Sequence, residues 1–241
     1  MKTCILLGDR SDIAKALIPF LEADGWVIYG WSRPPKGSQF GAEDIDAPEW
    51  DLVLCALGCV APVGHWYEQT QADFEDCVRS NVLLPIRLLR QIWRKRKPDA
   101  SVCFMAGSNP QKIMPGYLPY NLSKMALLKA VEQIDAESPD CKVFALGPGY
   151  VKTRIHAATL AANWPNERIA RGDDGTPIER IYACLKWCLD QPKEVVGGRN
   201  IAMSDPWGDE NGAVMGKSVW DMPLRERLRI NPSMFKLRRI E

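Results

Sequence analysis

Tyr120 and Lys124 stand four positions apart in Tyr120-Asn121-Leu122-Ser123-Lys124. At that spacing on a helix, two side chains share a face. A free phenol titrates at about 10, and an ammonium beside it favours the phenolate and lowers that value. Bringing the phenol to neutrality takes about 4 kcal/mol of differential interaction, which a desolvated charge pair can supply. A tyrosine tuned in this way exchanges a proton with a carbonyl or an alcohol. The same spacing also occurs on ordinary helix surfaces, so its surroundings must decide. Ser108 closes an apolar run in Ala106-Gly107-Ser108, where its hydroxyl can bond a substrate oxygen beside the tyrosine. Asn81 falls inside a long helical pattern, a setting that asparagine fits poorly and that points to a special role.

A second group of residues suits an anion. The first apolar run leads into Gly8-Asp9-Arg10-Ser11-Asp12-Ile13-Ala14. Glycine at a strand-to-helix turn lets backbone N–H groups approach a phosphate, helped by the helix N-terminus. Asp12 and Ala14 occupy the later positions of the full glycine fingerprint. Asp12 either lies beside a pyrophosphate or caps the helix, as Asp and Ser commonly do. Leu54-Cys55-Ala56-Leu57-Gly58 ends another apolar run, and Gly147-Pro148-Gly149 follows a third, with Thr153 shortly after.

The elements that must hold these residues alternate. Strands are expected at Thr3–Leu7, Trp26–Trp31, Asp51–Leu57, Ser101–Ala106, Lys142–Leu146 and Asn200–Met203. Helical spacing marks Asp12–Ala23, Asp73–Arg96, Pro119–Glu137 and Thr176–Gln191, and Ser32–Ala42, rich in Pro and Gly, is expected to be loop. Such alternation implies right-handed crossovers and a parallel sheet covered on both faces. The expectation is an α/β fold: a single-domain, doubly wound, Rossmann-type sheet spanning 1–241. Ligands of such sheets lie beyond the carboxyl ends of the strands, which gathers Gly8, Arg33, Gly58, Ser108 and Gly147.

Composition excludes other classes. The chain has 241 residues, 46% hydrophobic, enough for one sizeable core, and a net charge of +1 offers no basic excess for nucleic acid. The basic cluster Arg94 to Lys97 is expected to be a solvated helix end. Eight cysteines without a CxxC pair, and only His65 and His156, do not form a usual ligand set, so no metal site is expected. No apolar run reaches membrane-spanning length and none resembles a signal peptide. The expectation is a reduced, cytoplasmic protein without membrane partners.

Taken in order, the Gly8 turn, Cys55-Ala56-Leu57-Gly58, Asn81, Ser108, Tyr120-x-x-x-Lys124, Pro148-Gly149 and Thr153 resemble the classical short-chain dehydrogenase/reductase family. The resemblance runs from Lys2 to about Thr153 and more loosely onward. It implies a nicotinamide-dependent oxidoreductase that interconverts a carbonyl and an alcohol. Tyr120 would be the general acid/base, and Lys124 would lower its pKa and hold the nicotinamide ribose. Ser108 would orient the substrate oxygen, and Asn81 would help hold a water. Thr153 would contact the carboxamide or the phosphates. The cofactor site would run along Gly8, Arg10, Ser11, Asp12 and Ile13, then Leu57 and Gly58, then Pro148, Gly149 and Val151. Two departures, Asp12 for glycine and Cys55 for asparagine, lie on the cofactor side. Family members are usually dimers or tetramers, so a homodimer or homotetramer is expected.

Charge at the second strand end bears on the cofactor. NAD enzymes usually place a carboxylate there, whereas this chain has Ser32 followed by Arg33. A hydroxyl and a guanidinium suit a 2′-phosphate, which favours NADP(H) over NAD(H); the other reading makes Arg33 a loop charge before Pro34-Pro35. Residues 152–175 correspond to the family's substrate lid. With Arg154, His156, Trp164, Arg168 and Arg171, the lid suits an anionic or sugar-like substrate, and Arg154 and His156 are the candidate contacts; a solvated amphipathic lid fits equally well. Gly149 to His156, Gly197 to Trp207 and the basic tail (204–241) are similar to a bacterial subgroup associated with surface-polysaccharide biosynthesis. That likeness implies a sugar or nucleotide-sugar. Two alternatives stay open: a sugar epimerase or dehydratase with tightly bound NAD, and a non-catalytic dinucleotide sensor.

Overall fold

A computed structural model of the chain describes residues 1–32, 45, 47–107, 112–205 and 207. Six strands, β1 (Lys2–Leu7), β2 (Trp26–Trp31), β3 (Trp50–Cys55), β4 (Arg96–Met105), β5 (Lys142–Gly147) and β6 (Asn200–Ala202), form one sheet in the order β2-β1-β3-β4-β5-β6. Every pairing is parallel. The chain leaves β1 for β2 on one side and returns to β3 on the other, so the crossover direction reverses between β1 and β3. Crevices at such a reversal take ligands.

The strands are apolar throughout because both faces are covered, as parallel sheets require. Alternate residues serve two separate cores. Ile5, Leu7, Val53, Val102, Phe104 and Val143 face one core; Cys4, Leu6, Leu52, Leu54, Cys103 and Phe144 face the other. Helices α2 (Gln71–Val78), α3 (Leu84–Ile92) and α4 (Leu118–Ala136) cover the first face. The second is covered by α1 (Asp12–Ala23), through Ala14, Leu17 and Leu21, and by α7 (Ile178–Asp190), through Ile181, Cys184, Leu185 and Cys188, at i, i+3, i+4 and i+7. Short helices α5 (Ala157–Ala161) and α6 (Glu167–Ala170) lie between β5 and α7, and α8 (Lys193–Val196) precedes β6.

The expected long helix over 73–96 is divided. It begins at Gln71, passes through a π turn at Arg79–Leu83, resumes as α3 and ends as a 3-10 turn at Trp93–Lys95. From Arg96 the chain is already strand: Trp50 pairs with Arg96, then Leu52 with Ser101, across a register shift that contains Asp99 at φ +60°. The basic cluster is therefore not simply a solvated helix end. Arg96 pairs with Asp140 at 2.9 Å and Lys97 with Asp51 at 2.8 Å. All eight cysteines are free, and seven are buried. Among the described residues no helix is long and apolar enough to cross a membrane.

Candidate active site

The carboxyl ends of β1, β3, β4 and β5 open into a cleft of about 450 Å³, joined to a smaller cavity of about 220 Å³ through Ser11, Ala56, Leu57 and Gly58. Tyr120 and Lys124 enter from the first turns of α4. Pro119 sits at the start of that helix, where its fixed φ suits the first turn and its missing N–H goes unneeded. Lys124 is 4% exposed and donates from Nζ to the Met105 carbonyl at 2.9 Å. The same nitrogen lies 5.8 Å from the centre of the half-buried Tyr120 ring.

Asn81 lies fully buried within the π turn, where the Leu84 N–H reaches back five residues to the Arg79 carbonyl. Such turns concentrate at functional sites. Its Nδ2 donates to the carbonyls of Cys59 at 2.9 Å and Cys77 at 3.0 Å, and its Oδ1 accepts from the Cys59 N–H at 3.1 Å. The amide clamps residue 59 onto the helix. Gly58 makes the clamp possible. A Cβ there would stand 2.7 Å from Asn81 Oδ1 and 3.3 Å from Lys124 Nζ, so side chains from two helices converge on a backbone that lacks one.

The electrostatics differ from the expectation. Burial pushes the Tyr120 phenol up to about 12 and pulls the Lys124 ammonium down. Desolvation disfavours the charged form of each group and outweighs the attraction that the four-residue spacing suggests. Burial also lowers His156, which packs on Tyr150 at 4.8 Å and lines the cleft.

The anion end rests on the glycine turn. Gly8 has φ +92°, and a Cβ there would meet the backbone of Ala56 and Leu57 at 3.0 Å. Only glycine lets β1 turn this close to the end of β3. Ser11, not Asp12, caps α1, its Oγ accepting from the Ala14 N–H at 3.1 Å. Asp12 instead binds Arg154, which holds its carboxyl below the usual range. Ile13, Pro148, Gly149, Val151 and Thr153 complete the wall of the main cleft, whereas Gly8, Arg10 and Ser32 line the smaller cavity. The structure thus gathers the expected site residues along one groove. Arg33 and Ser108 lie outside the described residues, as does the tail beyond Trp207.

A family model described as enoyl-(acyl carrier protein) reductase matches residues 44–202. The chain belongs to the short-chain dehydrogenase/reductase family. No curated protein sequence matches it. Solved structures similar in fold include a short-chain dehydrogenase/reductase from Saccharomyces cerevisiae, 17% identical at TM-score 0.70, covering 86% of this chain and 97% of that one. A short-chain dehydrogenase from Shigella flexneri complexed with NADP is 15% identical at TM-score 0.70, covering 85% and 97%. An aldohexose dehydrogenase from Thermoplasma acidophilum is 12% identical at TM-score 0.68, covering 92% and 97%.

Like its family, this short-chain dehydrogenase/reductase is an oxidoreductase. Its cleft holds residues that sequence reasoning missed. Asp9 accepts a hydrogen bond from the Ser32 hydroxyl, whose oxygen accepts from the Arg10 N–H at 3.2 Å. The signal was Gly30: glycine inside a strand marks a close approach, and a Cβ there would stand 2.6 Å from Asp9 Oδ2. Cys59 and Cys77, the partners of Asn81, carried no comparable signal. In the lid, Arg154 pairs with Asp12, Arg168 with Asp173 at 3.4 Å and Arg171 with Glu167 at 3.7 Å.

Proposed function

We propose that this protein interconverts a carbonyl and an alcohol, with Tyr120 as the general acid/base, on an uncharged substrate. The observation that carries the reading is the convergence of Tyr120, Lys124, Asn81 and Gly58 at one end of the groove that begins at the Gly8 turn. The dinucleotide fits that groove: Gly8 and Gly58 leave room where a Cβ would collide. Residues of the glycine turn, Leu57 and Pro148 to Thr153 would hold it. When bound, the nicotinamide supplies or accepts the hydride.

Tyr120, protonated at neutral pH because of its burial, donates its proton to the substrate oxygen during reduction. Lys124, fixed by Met105, holds the ribose and the proton path. Ser108 orients the substrate oxygen. Asn81 keeps Gly58 and Cys59 in place beneath them. Residues 152–175 act as the lid, and Cys59, Val60, Ala61, Ile155, Ala157 and Ala158 make the substrate side mostly apolar. Of the substrates considered, a neutral ketone or a neutral sugar fits this lining better than a nucleotide-sugar. Free thiols suit the reduced cytoplasm, and the family's dimer or tetramer is the expected assembly.

NADP(H) is the favoured cofactor, supported by neighbours solved with NADP or NADPH and by Arg10 and Arg33. The Asp9–Ser32 pair favours the second reading, NAD(H), because it brings a carboxylate to the end of β2, where a ribose hydroxyl is recognised. Fluorescence titration with both nucleotides, followed by a screen of ketones and keto-sugars, tests the proposal. Tyr120→Phe is expected to lower turnover about 10³-fold while leaving cofactor affinity within about threefold. A variant that keeps its turnover would remove Tyr120 from the mechanism.

A further inference from the structure

Asp12 and Arg154 lie 142 positions apart and meet through three contacts, and a fourth ties Arg154 to Arg10. The Arg154 N–H donates to Asp12 Oδ2 at 2.7 Å, and its Nε donates to Oδ1 at 2.7 Å. Its Nη2 lies 2.6 Å from Oδ1 and donates to the Arg10 carbonyl at 2.9 Å. Backbone and side chain together fix the guanidinium at the first turn of α1. Both residues line the main cleft between the glycine turn and Thr153.

That location has a chemical consequence. Where the family fingerprint has glycine, backbone N–H groups approach the pyrophosphate closely. Asp12 puts a carboxylate in that place, which by itself repels a phosphate. Arg154 cancels that charge. Its side chain remains 72% exposed, against 29% for Asp12, and a planar guanidinium binds phosphate as readily as carboxylate. Asp12 thus presents a cation to the groove at the point where the missing glycine would have presented backbone.

We propose that Arg154 binds the diphosphate of the dinucleotide, and that Asp12 is the positioning residue that holds it there. A charge-compensated side-chain pair replaces the close backbone contact of the glycine fingerprint. The inference rests on the cofactor reading above, but it assigns Arg154 to the cofactor and not to the substrate.

The test is a double-mutant cycle on the intact protein, read by fluorescence titration with NADPH and NADH and by titration with ADP, which carries a diphosphate without the nicotinamide. Circular dichroism confirms the fold of each variant. Arg154→Ala is expected to weaken nucleotide binding roughly 30-fold, because it leaves Asp12 uncompensated beside the phosphates. In an Asp12→Asn background the same change is expected to weaken binding only about fivefold, and Arg154→Lys is expected to fall between wild type and Arg154→Ala. ADP should follow the same order. Equal losses in both backgrounds, or unchanged binding by Arg154→Ala, would overturn the proposal while leaving the cofactor reading intact. Wild-type protein that binds neither NADPH nor NADH would overturn the cofactor reading, and the proposal with it.

Discussion

At one end of the groove, Asn81, Lys124 and Tyr120 sit where burial penalises charge: the phenol is pushed up, the ammonium is pulled down, and the amide bonds the Cys59 and Cys77 backbone. At the other end, Asp12 is paired with the exposed Arg154, and Asp9 accepts a hydrogen bond from Ser32. The dry end keeps the family's residues, and the wet end departs from them. Proton transfer demands particular atoms at particular places, whereas binding a diphosphate demands only that charge balance at the groove. The wet end can reach that balance by more than one arrangement of side chains.

Three further measurements would break or sharpen this contrast. The largest effect is expected in the pH dependence. With the Tyr120 phenol near about 12, the acid form persists through neutrality, so carbonyl reduction should stay flat from about pH 6 to 9. Alcohol oxidation needs the phenolate and should climb about tenfold per pH unit over the same range. A plateau in oxidation below pH 8 would mean that the protein keeps the phenol far lower than its burial implies.

Next in size is the loss of a clamp. Asn81→Ala strands the Cys59 N–H and two carbonyls in a buried site and is expected to destabilise the fold by about 2–3 kcal/mol in urea unfolding. Ser32→Ala, at the wet end, should stay within about 1 kcal/mol. Similar losses at both positions would erase the distinction.

The smallest effect concerns acid. The carboxyl of Asp12 is depressed in the folded protein. Its stabilising contribution is therefore complete above the unfolded value, about 4, and is lost as pH falls through the lower folded value. Asp12→Asn should melt slightly below wild type at pH 7, and the gap should narrow as pH falls below about 4. A gap that persisted in acid would mean that the pair contributes little.

Much of the fold was legible because alternating burial marks strands with two covered faces. The boundaries of α1 and β2 match the expectation, and β5 extends it by a single residue. Order along the chain brought Tyr120, Lys124, Asn81 and Gly58 to one place. Local pattern could not show a hydrogen bond that skips one residue further than usual, so the π turn stayed hidden, although Asn81 marked it. The early start of β4 was hidden because Arg96, Lys97 and Asp99 lack a strand's apolar pattern. Pairing across 142 positions has no periodic signature either, which is why Arg154 read as a substrate contact and Asp12 as a blemish. The lowered tyrosine value failed for a different reason: spacing reports which groups are neighbours but not how dry their surroundings are.

The π turn has a mechanical meaning. One surplus residue turns everything after it by about 100° around the helix axis. Before it, Cys77 is buried towards the Cys59 carbonyl in the loop after β3; after it, Leu88, Leu89 and Ile92 are buried against the sheet. An uninterrupted α-helix through 71–92 could orient one of these faces or the other, but not both. The turn is a phase shift, and deleting a single residue from 79–83 should force the chain to choose between seating Asn81 and seating its core.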